Sequence, residues 1–450
     1  MTNMKKSLYV LLVVMMVFLA ACGSDSSKGG NDKSNEASND TKKSEEKSAD
    51  ETGEVQEVTF WHAMTDTHEE WLKKKTDEFN KEHKDIKVKL VGQGNYGDLS
   101  QKLLAAAKAK NSPTIAQAYG EWIADYDRNN LVVDLKPMIE GENGFDDKES
   151  YDDITEVFRK DNTFGDKVLG LPFNKSTRVL YVNNDYLKKA GLKAPETWEE
   201  LEAAAEKMTT TVDGKKVVGM GFENGMAHEI SMWIKQAGGE FVDEKNNKVL
   251  FDSPEGLKAL QFINNMLDNG TARMAGEDEY LSGPFTNGDV AMYIGSNAGI
   301  PFVEKDAKMD WTTVPLPKGK EAAAPFQGTN ITMFASSTEE QQKAAFEYMK
   351  YLISKENTID WAKTTGYLPV RQSALDSEEW QSFVKEHPVH AAGVSQYDGA
   401  FIEDRVPDAF AMKEAIGTEL DKMLFDDAEP KETLKNMAEK AQAAIDKAKK

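Results

Sequence analysis

The sequence predicts an α/β protein of two lobes with mostly parallel sheets. Apolar runs of strand type alternate with amphipathic segments of helical type along most of the chain, and this alternation is typical of α/β folds. After the first 54 of the 450 residues, 396 remain, and 40% of the chain is hydrophobic. A chain of this length is too long for one small core, so two lobes are expected.

The first 21 residues (1–21) are predicted to be a signal peptide. Lys5 and Lys6 precede an apolar stretch at 8–21, which leads directly to Cys22, the only cysteine of the chain. Its 14 residues are too few to span a bilayer as a helix, which needs about 20. The sequence LAAC (19–22) resembles the lipobox of bacterial lipoproteins, in which the cysteine is acylated. The resemblance implies that a lipidated Cys22 anchors the protein to the outer face of the cell membrane.

The segment that follows Cys22, up to residue 54, is predicted to be a disordered tether. Residues 23–54 contain two alanines and no larger apolar side chain. Such a segment buries too little surface to offset its chain entropy. As a flexible chain it would span roughly 30 Å.

From position 55 onward, strand and helix patterns follow one another in order. Strands are predicted in EVQEVTFWHAM, DIKVKLVGQ and PTIAQAY, with helices in HEEWLKKKTDEFNKEH and DLSQKLLAAAKAKN between them. A later helix is predicted from Ser253, a typical cap, to Gly270 at its stop. Strands VAMYIGS, WTTVPLP and ITMFASS come next, and the chain after Thr338 is predicted to be nearly all helical.

The charge balance disfavours nucleic acid and anionic lipid headgroups as partners. The chain carries 55 basic and 77 acidic residues, a net charge of −22, and loss of Lys5 and Lys6 with the signal makes this −24. Screening limits the reach of exposed charges to about 8 Å, so a local cation can still dominate a small-molecule cleft.

Enzyme motifs are missing from the sequence. It contains no GxSxG, P-loop or HExxH pattern, and among the histidines only His387 and His390 are closely spaced. The acidic stretch FDDKESYDD (145–153) lacks the glycine and final glutamate of a calcium loop. A secreted phosphodiester hydrolase is therefore disfavoured, and no catalytic residue, metal or cofactor is expected.

Six stretches place polar or aromatic residues at strand ends, where α/β sheets bind their ligands. They are FWHAM (60–64), GNYGDL (94–99), LPFNKST (171–177), GSNAG (295–299), FQGTN (326–330) and TTGYLP (364–369). One tyrosine after a strand is more often a packing residue. Six such places together favour a polar cleft.

These stretches, with PETWEEL and FTNGDVAM, resemble the extracytoplasmic solute-binding proteins of bacterial ABC importers over about residues 55–450. They are most similar to the glycerol-3-phosphate-binding branch. The resemblance implies a periplasmic-binding-protein-like fold with a ligand cleft between the lobes. Lobe 1 is expected at 55–165 plus about 300–365, and lobe 2 at 166–299 plus about 366–450. The expected partners of the monomer are a small-molecule ligand and ABC permease subunits.

The resemblance also implies the ligand contacts. Positions that match contact residues of the branch are Tyr96, Ser176, Ser296, Gly328, Tyr367 and the phosphate-binding Arg405. Glu121 is included although the branch has its glutamate one place earlier, where this chain has Gly120. Trp233 is included as the nearby remnant of a tryptophan pair.

Two further residues are candidates from their own chemistry. His62 ends the first predicted strand, and Arg178 is a second cation beside NKST. A phosphate dianion is best recognised by an arginine fork together with hydroxyl groups.

Three functions are compatible with this pattern. The chain is predicted to capture sn-glycerol-3-phosphate or a glycerophosphodiester for a permease. A sugar or oligosaccharide is the alternative ligand, since the tryptophan pair is not retained. A ligand sensor that docks on a membrane receptor is the alternative role, because it would use the same closing cleft.

Overall fold

The computed structural model describes residues 55–146, 149–212 and 214–449. The predicted signal peptide, Cys22 and the predicted tether lie outside these residues. None of the helices in the described ranges is long and apolar enough to cross a membrane.

The strands of the described ranges alternate with helices along much of the chain. They are β1 (Gln56–His62), β2 (Ile86–Gly92), β3 (Ile115–Ala118), β4 (Thr163–Phe164), β5 (Lys167–Val168), β6 (Leu171–Asn183), β7 (Thr210–Val212), β8 (Lys215–Phe222), β9 (Val242–Asp243), β10 (Lys248–Val249), β11 (Ala272–Met274), β12 (Val290–Ser296), β13 (Trp311–Val314), β14 (Ala324–Met333) and β15 (Ala400–Phe401).

The α-helices of the same ranges are α1 (Asp66–Glu82), α2 (Tyr96–Lys108), α3 (Gly120–Arg128), α4 (Lys136–Ile139), α5 (Glu156–Asn162), α6 (Asn184–Ala190), α7 (Trp198–Met208), α8 (Ile230–Gln236), α9 (Pro254–Asp268), α10 (Ser282–Thr286), α11 (Ile300–Asp306), α12 (Glu339–Leu352), α13 (Lys355–Thr365), α14 (Gln372–Leu375), α15 (Glu378–Glu386), α16 (Ala391–Val394), α17 (Ala409–Asp426) and α18 (Pro430–Ala448).

Local sequence signals set several helix ends. The Ser253 side chain accepts a 3.1 Å hydrogen bond from the Gly256 amide at the start of α9, which confirms the predicted cap. Gly270, just after that helix, has a φ of +67° that suits glycine. Thr338 and Gln341 form a capping box at the start of α12, where the helical part of the chain was predicted to begin.

The main sheet has the strand order β11-β8-β12-β6-β14-β3-β1-β2. The outer pairs are parallel, as the sequence predicts, for example β1 with β2 and β8 with β11. The three central pairs, β12–β6, β6–β14 and β14–β3, are antiparallel. The expectation of mostly parallel sheets therefore misses the middle of the sheet, where two long strands run against their neighbours.

Strand β6 is shared by two hydrophobic cores. Its first part pairs with β14 and contributes Leu171 and Phe173 to the core that contains β1 and α12. Its second part pairs with β12 and β13 and contributes Leu180 and Val182 to the core that contains α9, α17 and α18. One strand thus passes from one lobe into the other, and the short segment between the cores is where both lobes meet.

Candidate functional site

The middle of β6 carries a row of polar side chains on one face of the sheet. Side chains alternate between faces along a strand, so Asn174, Ser176 and Arg178 point the same way. In the antiparallel register Ser176 lies opposite Gln327 of β14, and Arg178 lies opposite Ser296 of β12. Directly opposed residues share a face, so two hydroxyls, an amide and a guanidinium are brought together.

A buried amide network fixes one end of this row. The Asn174 amide nitrogen donates to the Tyr96 hydroxyl at 2.8 Å, and its carbonyl oxygen accepts from Gln117 Nε2 at 3.0 Å. Thr329 donates to the same carbonyl oxygen, and Gln117 Oε1 accepts from the Ala63 amide at 2.8 Å. Asn174, Gln117 and Thr329 are fully buried. Since each polar atom has a partner, the network holds the Tyr96 hydroxyl in a defined position.

Three tyrosines border the row. The Tyr96 and Tyr119 rings lie 5.2 Å apart between centroids, and Tyr367 stacks on Trp361 at 5.4 Å. Burial, followed by the neighbouring tyrosines, raises the pKa of Tyr96 well above its ordinary value. Burial likewise raises the pKa of Tyr367. Both phenols therefore stay protonated and can donate or accept a hydrogen bond.

Glu121 belongs to a buried ion cluster with Lys413 and Glu403. The Lys413 ammonium lies 3.5 Å from Glu121 and 3.3 Å from Glu403. Glu403 also accepts a 2.6 Å hydrogen bond from Gln327 Nε2, which connects the cluster to the β6 row. Burial alone would lower the pKa of Lys413, but the two carboxylates outweigh it and raise the pKa. Lys413 is thus held as a cation.

Arg178 forms a second cluster with Glu223 and Glu229. Its guanidinium lies 3.4 Å from Glu223 Oε2 and 3.0 Å from Glu229 Oε1. Burial raises the pKa of Glu229 to about 7, against the attraction of Arg178 and with the repulsion of Glu223. The sequence reasoning missed both acids. Glu223 could have been found, because it directly follows β8, whereas Glu229 has no such signal.

Arg405 lies in a third cluster and is held mainly by protein groups. Its Nη1 donates to the Thr163 carbonyl at 2.7 Å, and its Nη2 donates to the Lys160 carbonyl at 2.9 Å and approaches Asp161 at 3.4 Å. The guanidinium carbon lies 4.0 Å from the centre of the Phe164 ring. Of its nitrogens, Nε is buried without a hydrogen-bond partner among the described residues. Protein acceptors therefore occupy three of the five N–H donors of Arg405, so its guanidinium does not present a complete fork to a ligand.

Asp161 joins Arg405 to the buried Lys175. The Lys175 ammonium contacts Asp161 Oδ2 at 2.6 Å and the Gly328 carbonyl at 3.0 Å. Burial would raise the pKa of Asp161, but the two cations lower it below its ordinary value. A Cβ at Gly120 would lie 2.8 Å from Asp161 Oδ1, so a glutamate at this position would require Asp161 to shift.

Gly328 is required by its backbone. Its φ is +105°, which is unfavourable for other residues, and a Cβ would collide with the Asn174 carbonyl oxygen. This close approach brings β14 onto β6 beside Ser176, and β14 is irregular between Gly328 and Asn330.

The other predicted residues have mixed placements. Ser296 is on the face of the row, and its hydroxyl accepts from the Ala298 amide at 3.2 Å. His62 is buried at the end of β1, where burial lowers its pKa and Nδ1 accepts from the Met64 amide at 3.3 Å. Trp233 is not brought to the row: it is 1% exposed and packs with Trp198 in the core of the second lobe.

A surface recess lies away from this site, between the start of β1 and α12. Its volume is about 560 Å³, and its lining includes Met138, Ala344 and Phe346 but none of the predicted site residues. Among the described residues, no group of three or more His, Cys, Asp or Glu side chains could hold a metal ion.

Comparison with known proteins shows which family this chain belongs to. Residues 74–388 match the bacterial extracellular solute-binding protein family. The chain belongs to this family. It is a solute-binding protein, as the sequence resemblance implies, and the family is extracellular.

Individual relatives agree with this membership. The chain is 27% identical over 352 residues to the sn-glycerol-3-phosphate-binding periplasmic protein UgpB of Pectobacterium atrosepticum, covering 74% of this chain and 77% of that protein. The structure resembles UgpB from Mycobacterium tuberculosis in complex with glycerophosphocholine, with a TM-score of 0.78, 22% identity and coverage of 88% and 99% of the two chains. The structure also resembles the GacH receptor of Streptomyces glaucescens, with a TM-score of 0.76, 22% identity and coverage of 87% of this chain and 99% of that chain. The predicted two-lobed fold of periplasmic binding proteins is thereby confirmed.

Proposed function

We propose that this solute-binding protein is the lipid-anchored receptor of an ABC importer and that it delivers sn-glycerol-3-phosphate or a glycerophosphodiester to the permease. The observation that carries the proposal is the row on β6, where Ser176 and Arg178 share one face of the strand that joins the lobes and Ser296 of β12 lies opposite Arg178. The relatives named above support this choice of ligand. Cys22 is the proposed lipid attachment, and the protein acts as a monomer outside the cell.

The hydroxyls of the site suit a glycerol phosphate. Tyr96, Tyr367, Ser176 and Ser296 offer groups that can both donate and accept, which is what glycerol hydroxyls and phosphate oxygens require. The cluster of Lys175, Asp161 and Arg405 carries one net positive charge when Asp161 is ionised. We assign this cluster to the phosphate.

Transport follows from closure of the lobes. Lys413 is on α17, which packs in the core of the second lobe, and its partner Glu121 is on α3, which packs with β1 and β3 of the first. A ligand between these elements gains contacts on both sides only in the closed form, so it shifts the equilibrium towards closure. The permease reads the closed shape. No bond of the ligand is broken, so no catalytic residue is assigned.

A sugar or oligosaccharide is the second candidate ligand. The observation that favours it is the number of amide and carboxylate groups near the row, among them Gln327 and Glu223, since these groups bind sugar hydroxyls as well as they bind each other.

Calorimetric titration of the delipidated protein separates the candidates. We expect glycerol-3-phosphate or glycerophosphocholine to bind at micromolar concentration and maltose not to bind. Ser176→Ala should lower the affinity for the phosphate ester roughly tenfold, because one hydrogen bond to a charged group is worth about 1.5 kcal/mol. Ser336→Ala, at an exposed serine on a turn, is the matched control. Tight binding of maltose with no response to either ester would refute the proposed ligand.

A further inference from the structure

A buried asparagine, Asn297, lies where three parts of the candidate site meet. It directly follows Ser296, the last residue of β12, and it is 3% exposed. Its Oδ1 accepts a 2.7 Å hydrogen bond from the Thr177 amide in the middle of β6, and its Nδ2 donates to the Gly366 carbonyl at 2.5 Å. One side chain is thus bonded both to β6 and to the loop that carries Tyr367.

The bond to Thr177 continues the pairing of β6 past the end of β12. The last paired residues are Ser296 and Arg178, and Thr177 is the next residue of β6. The side-chain amide of Asn297 carries the same donor and acceptor groups as a peptide bond, so it can take the place of the backbone there. An ionised carboxylate accepts hydrogen bonds only, and an aliphatic side chain makes none.

The bond to Gly366 joins the two lobes. Strand β12 packs in the core of the second lobe, whereas Tyr367 belongs to the core of the first. Gly366 has a φ of +76°, and a Cβ there would lie 2.7 Å from the Asn297 carbonyl oxygen. Glycine therefore allows the loop to approach the end of β12 closely enough for this bond to form.

The loop has a second attachment to β6. The Leu368 amide donates to the Lys175 carbonyl at 2.7 Å. The loop is thus held to β6 directly through Leu368 and indirectly through Asn297, with Tyr367 between the two attachments. Loss of either one would leave the Tyr367 side chain less well placed.

Asn297 also sets where the Ser296 hydroxyl lies. That hydroxyl accepts a hydrogen bond from the Ala298 amide at 3.2 Å, so its position depends on the short turn Asn297–Gly299. The bond to Thr177 fixes this turn to β6. Both polar atoms of the Asn297 side chain already have protein partners, so it acts through its neighbours and not by contact with a ligand.

We propose that Asn297 is the positioning residue of the site. It holds the hydroxyls of Ser296 and Tyr367 in place relative to the β6 row, so that one ligand can contact groups of both lobes at once. This inference rests on the proposed function, which assigns both hydroxyls to the ligand, and it adds a residue that the sequence does not predict.

The first test compares two asparagines that make the same kinds of bond. Asn80 on α1 donates to the Val88 carbonyl at 3.0 Å and accepts from the Val88 amide at 2.8 Å, within the first lobe and away from the site. By calorimetry with glycerophosphocholine, Asn297→Ala should lower the affinity at least roughly tenfold. Asn80→Ala should leave it unchanged, although both variants lose two hydrogen bonds and should be less stable.

Asn297→Asp separates positioning from a general loss of stability. The introduced carboxyl, when ionised, accepts from Thr177 but cannot donate to Gly366, whereas the protonated form can do both. Burial raises the pKa of such a carboxyl. The affinity of this variant relative to the wild type should therefore be several-fold higher at pH 5 than at pH 8. The ratio to the wild type at each pH removes the effect of Glu229, whose pKa is about 7.

Hydrogen exchange of the Leu368 amide tests the same role without ligand. It should be faster in Asn297→Ala and unchanged in Asn80→Ala, because only the first variant frees the loop from one attachment. An unchanged affinity in Asn297→Ala, or an Asn297→Asp ratio that does not change with pH, would overturn the positioning role while the proposed ligand stands. If the wild type binds no phosphate ester, the proposed ligand is wrong. The exchange rate then decides alone: faster exchange supports the positioning role, and unchanged exchange refutes it.

Discussion

The buried carboxyl of Glu229 makes the stability of the protein depend on pH in a direction that can be measured. Its pKa is raised by burial to about 7, from an ordinary value of 4.5, despite the neighbouring Arg178. Between these two values the folded protein holds a proton on Glu229 that the unfolded chain has released. Stability therefore falls as the pH rises through this range, because the folded state must give up that proton.

The magnitude follows from the shift. One pKa unit corresponds to about 1.4 kcal/mol. A shift from 4.5 to about 7 therefore lowers the free energy of unfolding by about 3 kcal/mol between pH 4.5 and pH 8. Glu229→Gln keeps the shape of the side chain and cannot ionise. We therefore expect the variant to gain about 2–3 kcal/mol relative to the wild type when both are moved from pH 5 to pH 8.

Urea unfolding at several pH values measures this difference. The free energy of unfolding is determined for wild type, Glu229→Gln and the control Glu202→Gln at each pH without ligand. The free energy of unfolding of the control should change with pH as that of the wild type does, because Glu202 is exposed. The difference in the free energy of unfolding between Glu229→Gln and wild type should change with pH. If it stays constant, or changes in the opposite direction, the raised pKa of Glu229 is wrong.

Four further changes test the site and the anchor. Arg405→Ala should weaken a glycerol phosphate ester roughly 30-fold or more by calorimetry, since a buried partner of a charged ligand is worth about 2–5 kcal/mol, and an unchanged affinity would contradict its phosphate role. Asn174→Ala should cost about 2–4 kcal/mol in urea unfolding because one Gln117 N–H and the Thr329 hydroxyl lose their shared acceptor, and a loss below 1 kcal/mol would argue against the amide network. Gly328→Ala should destabilise by more than about 2 kcal/mol through its φ of +105° and the collision with Asn174, so a native melting temperature is the adverse result. Cys22→Ala should release folded protein into the medium, and protein that stays membrane-bound after a high-salt wash would show that the lipid anchor is wrong.

The expectation of ligand residues at strand ends holds for Ser296, which ends β12, but Ser176 lies in the middle of β6. Ser176 and Ser296 were predicted as separate positions, and the structure places both on one face beside Arg178. Tyr96 and Tyr367 are likewise joined through Asn174. Their role in ligand binding stays a prediction, and the two serines lie close because the end of β12 pairs with the middle of β6.

The partners of each charge could not be read in this way. Glu229 precedes a short helix and reaches Arg178 across 51 positions of sequence, and Arg405 reaches the carbonyls of Lys160 and Thr163 across more than 240. Trp233 is expected as a ligand contact because it is the remnant of the tryptophan pair, but it packs beside Trp198 in the core. A local sequence pattern does not determine which buried groups come into contact.

Local chemistry in the sequence by itself determined the alternation of strands and helices, the cap at Ser253, the acidic balance and the residues of the β6 row, because these depend on near neighbours along the chain. Only the tertiary structure decided that β6 runs antiparallel to β12 and β14, and that Glu223 and Glu229 share one arginine. The physical reason is that strand direction and ion pairing are set by contacts between distant segments, whose free energy is gained only when both lobes are folded.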